Sequence, residues 1–237
     1  YGLRKTSFYS KRSLNKYVKI HAYLFTFFDG AWCNGSTPDF ESVDLGSNPS
    51  APAFSLQTVR KTDKKMEKIN ARIDVVILAA GMGTRMKSNK PKALHPLLGK
   101  PMVDYILDAV VDICNEPPVV VVGSGAEQMQ EVLGERVRFA LQVPQLGTAH
   151  AVMRARPLVE GKSDLVLVAN SDFPLITKDT YQSLVVTHLK GSSPLTICTV
   201  LADDPREFGR IVRDENGRIS GIVEDKVATE EQKKIKE

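Results

Sequence analysis

The stretch Val75–Lys92 constrains this chain more than any other. It reads Val-Val-Ile-Leu-Ala-Ala-Gly-Met-Gly-Thr-Arg-Met-Lys-Ser-Asn-Lys-Pro-Lys. Val75–Leu78 are apolar without alternation, which predicts a strand buried on both faces, as in a parallel sheet. Ala79, Ala80 and Gly81 follow and let a ligand approach the backbone closely. Gly81 and Gly83 let successive N–H groups converge on an anion, and Arg85 and Lys92 add full positive charge. The combination suits a polyphosphate held at the carboxyl end of a strand. A plain strand with a glycine turn would not need the cations. Two other phosphate motifs are excluded by spelling. A dinucleotide fingerprint wants a third glycine where Met86 stands, which disfavours a Rossmann oxidoreductase. A P-loop wants Ser or Thr after Gly99-Lys100, where Pro101 stands.

Downstream, strand and helix signals alternate. Strands are predicted at Ile73–Ala80, Val119–Val122, Val137–Leu141, Asp164–Ala169 and Pro194–Leu201. Pro101 is placed for the first turn of a helix. Met102, Tyr105, Ile106, Ala109, Val110 and Ile113 would form that helix's core face. Further helices are predicted at Ala126–Leu133, at Gly147–Val159 with Ala149, Val152, Met153 and Leu158 inward, and at Thr177–Leu189 with Thr177 as N-cap. Asn216-Gly217 predicts a hairpin between Arg210–Arg213 and Arg218–Val223. A last helix is expected from Thr229. The pattern is that of an α/β fold with a Rossmann-like, mostly parallel sheet flanked by helices, its ligand at the carboxyl ends of the strands.

The first 65 residues read differently. Tyr1–Lys19 is basic, His21–Phe28 is a short apolar-aromatic run without a cleavage site after it, and Asp29–Phe54 has no periodicity. Gly46-Ser47-Asn48-Pro49 can be spelled in codons that contain a tRNA T-arm. Trp32–Ser36 can be spelled as a D-arm, and Pro38–Ser42 as the anticodon arm between them. Residues 1–65 are therefore expected to be an unstructured leader, either a gene-model artefact or a disordered tail, with the domain running over 66–237 from Met66. The net charge of +4 belongs to the leader. Residues 1–72 hold 12 Lys/Arg against 6 Asp/Glu, and residues 73–237 hold 20 against 22. This gives no support for nucleic-acid binding by the folded part. No run approaches the length of a transmembrane helix. Three scattered cysteines, Cys33, Cys114 and Cys198, suggest neither disulfides nor zinc and fit a reducing cytoplasm, with Cys114 and Cys198 as small core residues.

Two more stretches fall at predicted strand ends. In Gln142-Val143-Pro144-Gln145-Leu146-Gly147-Thr148-Ala149-His150, the Gln142 amide has both donor and acceptor for the edge of a base. Gly147 permits close approach, and Thr148 stands at a helix N-terminus. The same stretch also reads as an ordinary strand-to-helix connection capped by Thr148. In Asn170-Ser171-Asp172-Phe173-Pro174-Leu175, a strand delivers a carboxylate at its end. It suits Mg²⁺ bridging to phosphate, or alternatively an Asx-turn before Pro174. His150 is expected to be packed or at the surface rather than catalytic, and His95 has no assigned role.

Leu78–Met86, Pro91-Lys92 and Gly99-Lys100-Pro101-Met102 together resemble the signature of sugar-phosphate nucleotidyltransferases. Gln142, Gln145–His150, Phe208-Gly209-Arg210-Ile211 and Gly221–Lys226 narrow the resemblance. This set is similar to the uridyltransferase domain of bacterial bifunctional N-acetylglucosamine-1-phosphate uridyltransferases, which also carry a glucosamine-1-phosphate acetyltransferase domain. It covers about Asp74 to Glu237.

The resemblance implies a nucleotide-diphospho-sugar transferase fold, incomplete at the C-terminus, and a reaction joining UTP and N-acetylglucosamine 1-phosphate with Mg²⁺. It implies that Leu78, Ala79, Ala80 and Gly81 line the nucleotide site, with Gln142, Gly147 and Thr148 at the uracil. Arg85 and Lys92 would neutralise phosphates. Asp172 would hold the metal, with Asn170 and Ser171 beside the nucleotide-sugar and Gly209 and Glu224 at the sugar ring. Ser171 departs from the glycine usual in the family, and a second metal ligand is expected beyond Glu237. Neither nucleic acid nor membrane is expected as a partner, and a homo-oligomer is expected only if the acetyltransferase domain is present. The same chemistry on another sugar 1-phosphate, or an inactive nucleotide-sugar-binding fragment, stands as the alternative.

Overall fold

The computed structural model describes residues 3–7, 22–26 and 71–237, apart from 82, 84, 85 and 192. In chain order these form β1 (Leu3–Ser7), β2 (Ala22–Thr26), β3 (Ile73–Leu78), the two-residue strands β4 (Pro96–Leu97) and β5 (Lys100–Pro101), α1 (Met102–Val110) and β6 (Val119–Val122). There follow α2 (Ala126–Leu133), β7 (Arg138–Leu141), α3 (Thr148–Val159), β8 (Leu165–Asn170), α4 (Lys178–Leu189), β9 (Leu195–Thr199), β10 (Arg210–Arg213) and β11 (Ile219–Val223). The main sheet runs β1-β9-β2-β8-β3-β6-β7. Its centre, β8-β3-β6-β7, is parallel throughout, as the unbroken apolar runs predict.

Period-two alternation sends successive side chains of each strand to opposite faces. Val75, Ile77, Val120, Val122 and Leu167 meet α1, α2 and α4 through Val103, Ile106, Val110, Met129, Leu133, Tyr181 and Leu184. Val76, Val119, Val121, Val166 and Val168 meet α3 on the other face. Each fully buried side chain of this kind contributes roughly 1.5–3 kcal/mol, so the strands are held firmly where the loops leave them. Cys198 is buried, and burial pushes its thiol up to about 12. Cys114 is half-buried, with its thiol also raised, chiefly by burial. At the amino end of the sheet, buried Asp74 pairs with Arg138, whose guanidinium also donates to the Pro117 and Leu158 carbonyls (2.7 and 2.9 Å). Among the described residues no helix is long and apolar enough to cross a membrane.

Several expectations need correction. Ten residues of the expected unstructured leader are strands: β2 pairs antiparallel with β8 and β9, and β1 pairs parallel with β9. The edges of β8 and β9 carry N–H and C=O groups that need partners, and these two segments supply them. Residues 27–70, which hold the tRNA-like spelling and Met66, lie outside the described residues. The buried face of α3 is Ala151, Ala155 and Val159, a clean i, i+4, i+8 row, while Met153 is half-exposed. Helix α1 stops at Val110, and the helix expected from Thr229 is a single 3₁₀ turn, Gln232–Lys234. Thr177 caps α4 as expected, accepting from the Thr180 N–H.

Candidate active site

The parallel strands deliver their carboxyl ends to one edge, and the backbone ladder runs on past them. Ala79 N–H donates to Val121 O (2.9 Å), Gln142 N–H to Val122 O (2.8 Å) and Ser171 N–H to Leu78 O (3.0 Å). Leu78 stands opposite Asn170 in the β3–β8 register. The first residue of each candidate loop is therefore as fixed as the strand before it.

Lys92 and Asp172 meet on this edge. Lys92 Nζ donates to Asp172 Oδ2 at 2.7 Å, and both side chains stay about one-third exposed. Among the described residues, the Asp172 carboxylate accepts from this lysine and not from a turn N–H, so the Asx-turn alternative is not what the structure adopts. Lys92 opens a 3₁₀ turn, Lys92–Leu94, whose Ala93 and Leu94 are buried. Its stem passes directly under the glycine loop. A Cβ on Gly83 would stand 2.9 Å from Lys92 Cβ, and Gly83 has φ 62°, so glycine is required here on both counts. Ala79 and Ala80 are buried and Gly81 is exposed with open space beside it. Arg85 lies outside the described residues.

Gln142 directly follows β7, three strands from Asn170, a separation of roughly 14 Å at the usual strand spacing. Its side chain is buried. Nε2 donates to the Gly147 carbonyl at 2.9 Å and lies 3.2 Å from His150 Nδ1. Gly147 is the N-cap of α3 with φ 96°, and Thr148 is the first helical residue rather than the cap. Gln145 reaches back across β6, and its Nε2 donates to the Ala80 carbonyl (2.5 Å). Gly123, at the end of β6, lies underneath, where a Cβ would be 2.3 Å from that nitrogen and 2.8 Å from Ala80 O. The loop expected to read the base is thus tied to the loop expected to hold phosphate.

Gly209 and Glu224 flank the open end of the β10–β11 ladder, beside the paired Arg210 and Val223. A Cβ on Gly209 would lie 3.6 Å from Glu224 Oε1. Arg210 fixes this corner from below. It is buried, and it donates to the carbonyls of Phe208, Arg206 (2.9 Å) and Lys233 (3.3 Å) and to Asp225 Oδ1 (3.1 Å).

The structure therefore assembles Leu78, Ala79, Ala80, Lys92, Asn170, Ser171 and Asp172 around the ends of β3 and β8. Gln142, Gly147 and Thr148 gather after β7, and Gly209 and Glu224 form a separate pair on the hairpin. Sequence reasoning named Gln145, His150 and Arg210 as parts of motifs but gave them no site role, and it missed Gly123. The signal for His150 was present, since a residue in the first turn after a short loop can fold back on the strand end that precedes it. Among the described residues there is no cluster of three or more His, Cys, Asp or Glu able to hold a metal. Among the described residues Asp172 is the acidic group that meets Lys92 at this edge, and a single carboxylate suits Mg²⁺, an ion that keeps water and phosphate oxygens as most of its ligands.

The bifunctional protein GlmU of Geobacillus sp. (strain WCH70) is 50% identical over 162 residues, 68% of this chain and 35% of that protein. The bifunctional protein GlmU of Thermoanaerobacter pseudethanolicus is 48% identical over the same shares. The chain thus spans about a third of the length of these relatives. Among solved structures, a nucleotidyl transferase from Methanothermobacter thermautotroptrophicus is 28% identical, with a TM-score of 0.42 over 48% of this chain and 57% of that one. Residues 75–207, more than half of the chain, match the MobA-like NTP transferase domain. They run from β3 through the Lys92–Asp172 pair to the loop before β10, and the chain belongs to that family.

Proposed function

We propose that this chain is the nucleotide-binding part of an enzyme that transfers UMP from UTP to N-acetylglucosamine 1-phosphate. A phosphate oxygen of the sugar phosphate attacks the α-phosphorus of UTP. The bond from that phosphorus to the bridging oxygen breaks, and pyrophosphate leaves with the electron pair. The attacking oxygen is already anionic, so no protein nucleophile or base is needed. Catalysis is then positioning and neutralisation of charge. Lys92 exchanges its carboxylate partner for phosphate oxygens, with Arg85 as a second cation. Ala79, Ala80 and Gly81 offer close backbone approach, and Gln142, Gly147 and Thr148 receive uracil. Asp172 would hold Mg²⁺, which when bound neutralises charge on the phosphates. Asn170 and Ser171 lie beside the same strand end, and Gly209 with Glu224 receives the sugar ring. The reaction belongs in the cytoplasm, where nucleotide triphosphate is the donor, and calls on neither nucleic acid nor membrane.

The observation that carries this reading is the meeting of Lys92 and Asp172 at the ends of β3 and β8, beneath a glycine loop shaped around the lysine. The relatives at 48–50% identity support it. A lone carboxylate also favours a second reading, a module that binds nucleotide-sugar without turnover. Pyrophosphate release from UTP with N-acetylglucosamine 1-phosphate, alongside calorimetric UTP binding, separates them. Release that needs both substrates supports transfer, binding without release supports the module, and neither overturns both.

A further inference from the structure

We infer that His150 is a positioning residue that sets the choice of pyrimidine by holding the Gln142 amide in one orientation. The inference rests on the nucleotide reading above and on three observations. Gln142 is 3% exposed, so its amide exchanges partners with the protein rather than with bulk water. The Gly147 carbonyl, 2.9 Å away, can only accept, so the group facing it must be the NH₂. The second hydrogen of that NH₂ faces His150 Nδ1 at 3.2 Å, which makes Nδ1 the acceptor and puts the imidazole proton on Nε2.

The consequence is a fixed code. Both donors of Gln142 are taken, and among the described residues no protein donor meets Oε1. The base therefore finds an acceptor there. Uracil offers N3–H to that oxygen. Cytosine in the same pose offers the N3 lone pair, and acceptor would face acceptor with no water to relieve it. A flipped amide would present NH₂ and reverse the preference. The Gly147 carbonyl alone is a divided anchor, because it also accepts from Ala151 N–H (3.1 Å) as α3 begins. His150, half-buried in the first turn of α3, supplies the second hold. His150 does not touch the reacting phosphates, so its effect falls on selection and not on the chemical step.

The test is calorimetric binding of UTP and of CTP to the full chain in Mg²⁺, for the wild type and for His150→Ala, His150→Phe and His150→Asn. The wild type should favour UTP. Ala and Phe, which lack an acceptor, should cut the UTP-to-CTP affinity ratio by about tenfold, the size expected for one hydrogen bond in a buried site. Phe keeps the ring volume and so controls for packing. Asn, whose Oδ1 can accept in place of Nδ1, should keep most of the ratio. A ratio unchanged in both Ala and Phe overturns the inference while leaving the nucleotide reading in place. So does an Asn variant that loses the ratio as fully as Ala does. A wild-type chain that binds neither nucleotide, or both alike, overturns the nucleotide reading and this inference with it.

Discussion

Lys92 Nζ stands 2.7 Å from Asp172 Oδ2, joining residues 80 apart in the chain across the ends of two adjacent parallel strands. Both side chains keep about a third of their surface in water. A pair so exposed adds little stability, because solvent screens it and two long side chains lose freedom to make it. On the proposed function its use would lie in being separable: polyphosphate arriving at the glycine loop would offer the lysine several anionic oxygens in place of one carboxylate and free Asp172 for a cation.

Lys92→Ala should therefore weaken UTP binding at least about tenfold, the loss of a charge-assisted contact, while changing unfolding stability by less than about 1 kcal/mol. Calorimetric titration and urea denaturation measure the two effects. Unchanged affinity with a large loss of stability would make the pair structural.

Gly123→Ala should damage the site from beneath, although Gly123 is not itself a candidate ligand contact. Its Cβ would displace the Gln145 amide and press on the Ala80 carbonyl, and the backbone oxygen cannot swing away. A loss of about 1–3 kcal/mol is expected. Gln145→Ala alone should cost about 1 kcal/mol. The double variant should lose less than the two separately, because both break the same contact. Strict additivity in urea midpoints would show that Gln145 does not bear on Gly123.

Arg210→Met tests the support beneath Gly209 and Glu224. It leaves Asp225 and three carbonyls without their common donor. The guanidinium is buried, so about 3–5 kcal/mol of stability should go. Arg210→Lys should not restore it, since one ammonium cannot match a planar fork of donors. Denaturation of either variant within about 1 kcal/mol of the wild type contradicts this role.

The central sheet was legible because its evidence is local. Val75–Leu78, Val119–Val122 and Leu165–Ala169 are apolar on both faces, and only burial between layers suits such runs. The placement of Asp172 and Gln142 was legible for a related reason: each follows a strand closely, and ligands in such sheets bind at the strand ends. The roles of Gln145 and Arg210 were not, because they depend on which carbonyl or amide lies nearby in space; for His150 the spacing signalled nearness to the strand end but not which group it would meet. Composition gave no hint that Ala22–Thr26 would pair with β8, since that pairing answers to an open sheet edge far along the chain. Met153 was misplaced because helical spacing fixes a face only once the true anchor, here Ala151 rather than Ala149, is known.

The most direct test of the site is UTP binding to the wild type and to Asp172→Asn across a Mg²⁺ titration, followed by calorimetry and with thermal unfolding alongside. Asparagine keeps the size of aspartate but not the charge that holds a metal. In the wild type, Mg²⁺ should tighten UTP binding by tenfold or more, about 1.4 kcal/mol. In Asp172→Asn that dependence should vanish, while the unfolding temperature stays near that of the wild type because the side chain is about one-third exposed. An Asp172→Asn chain that binds UTP with the Mg²⁺ dependence of the wild type would contradict the account.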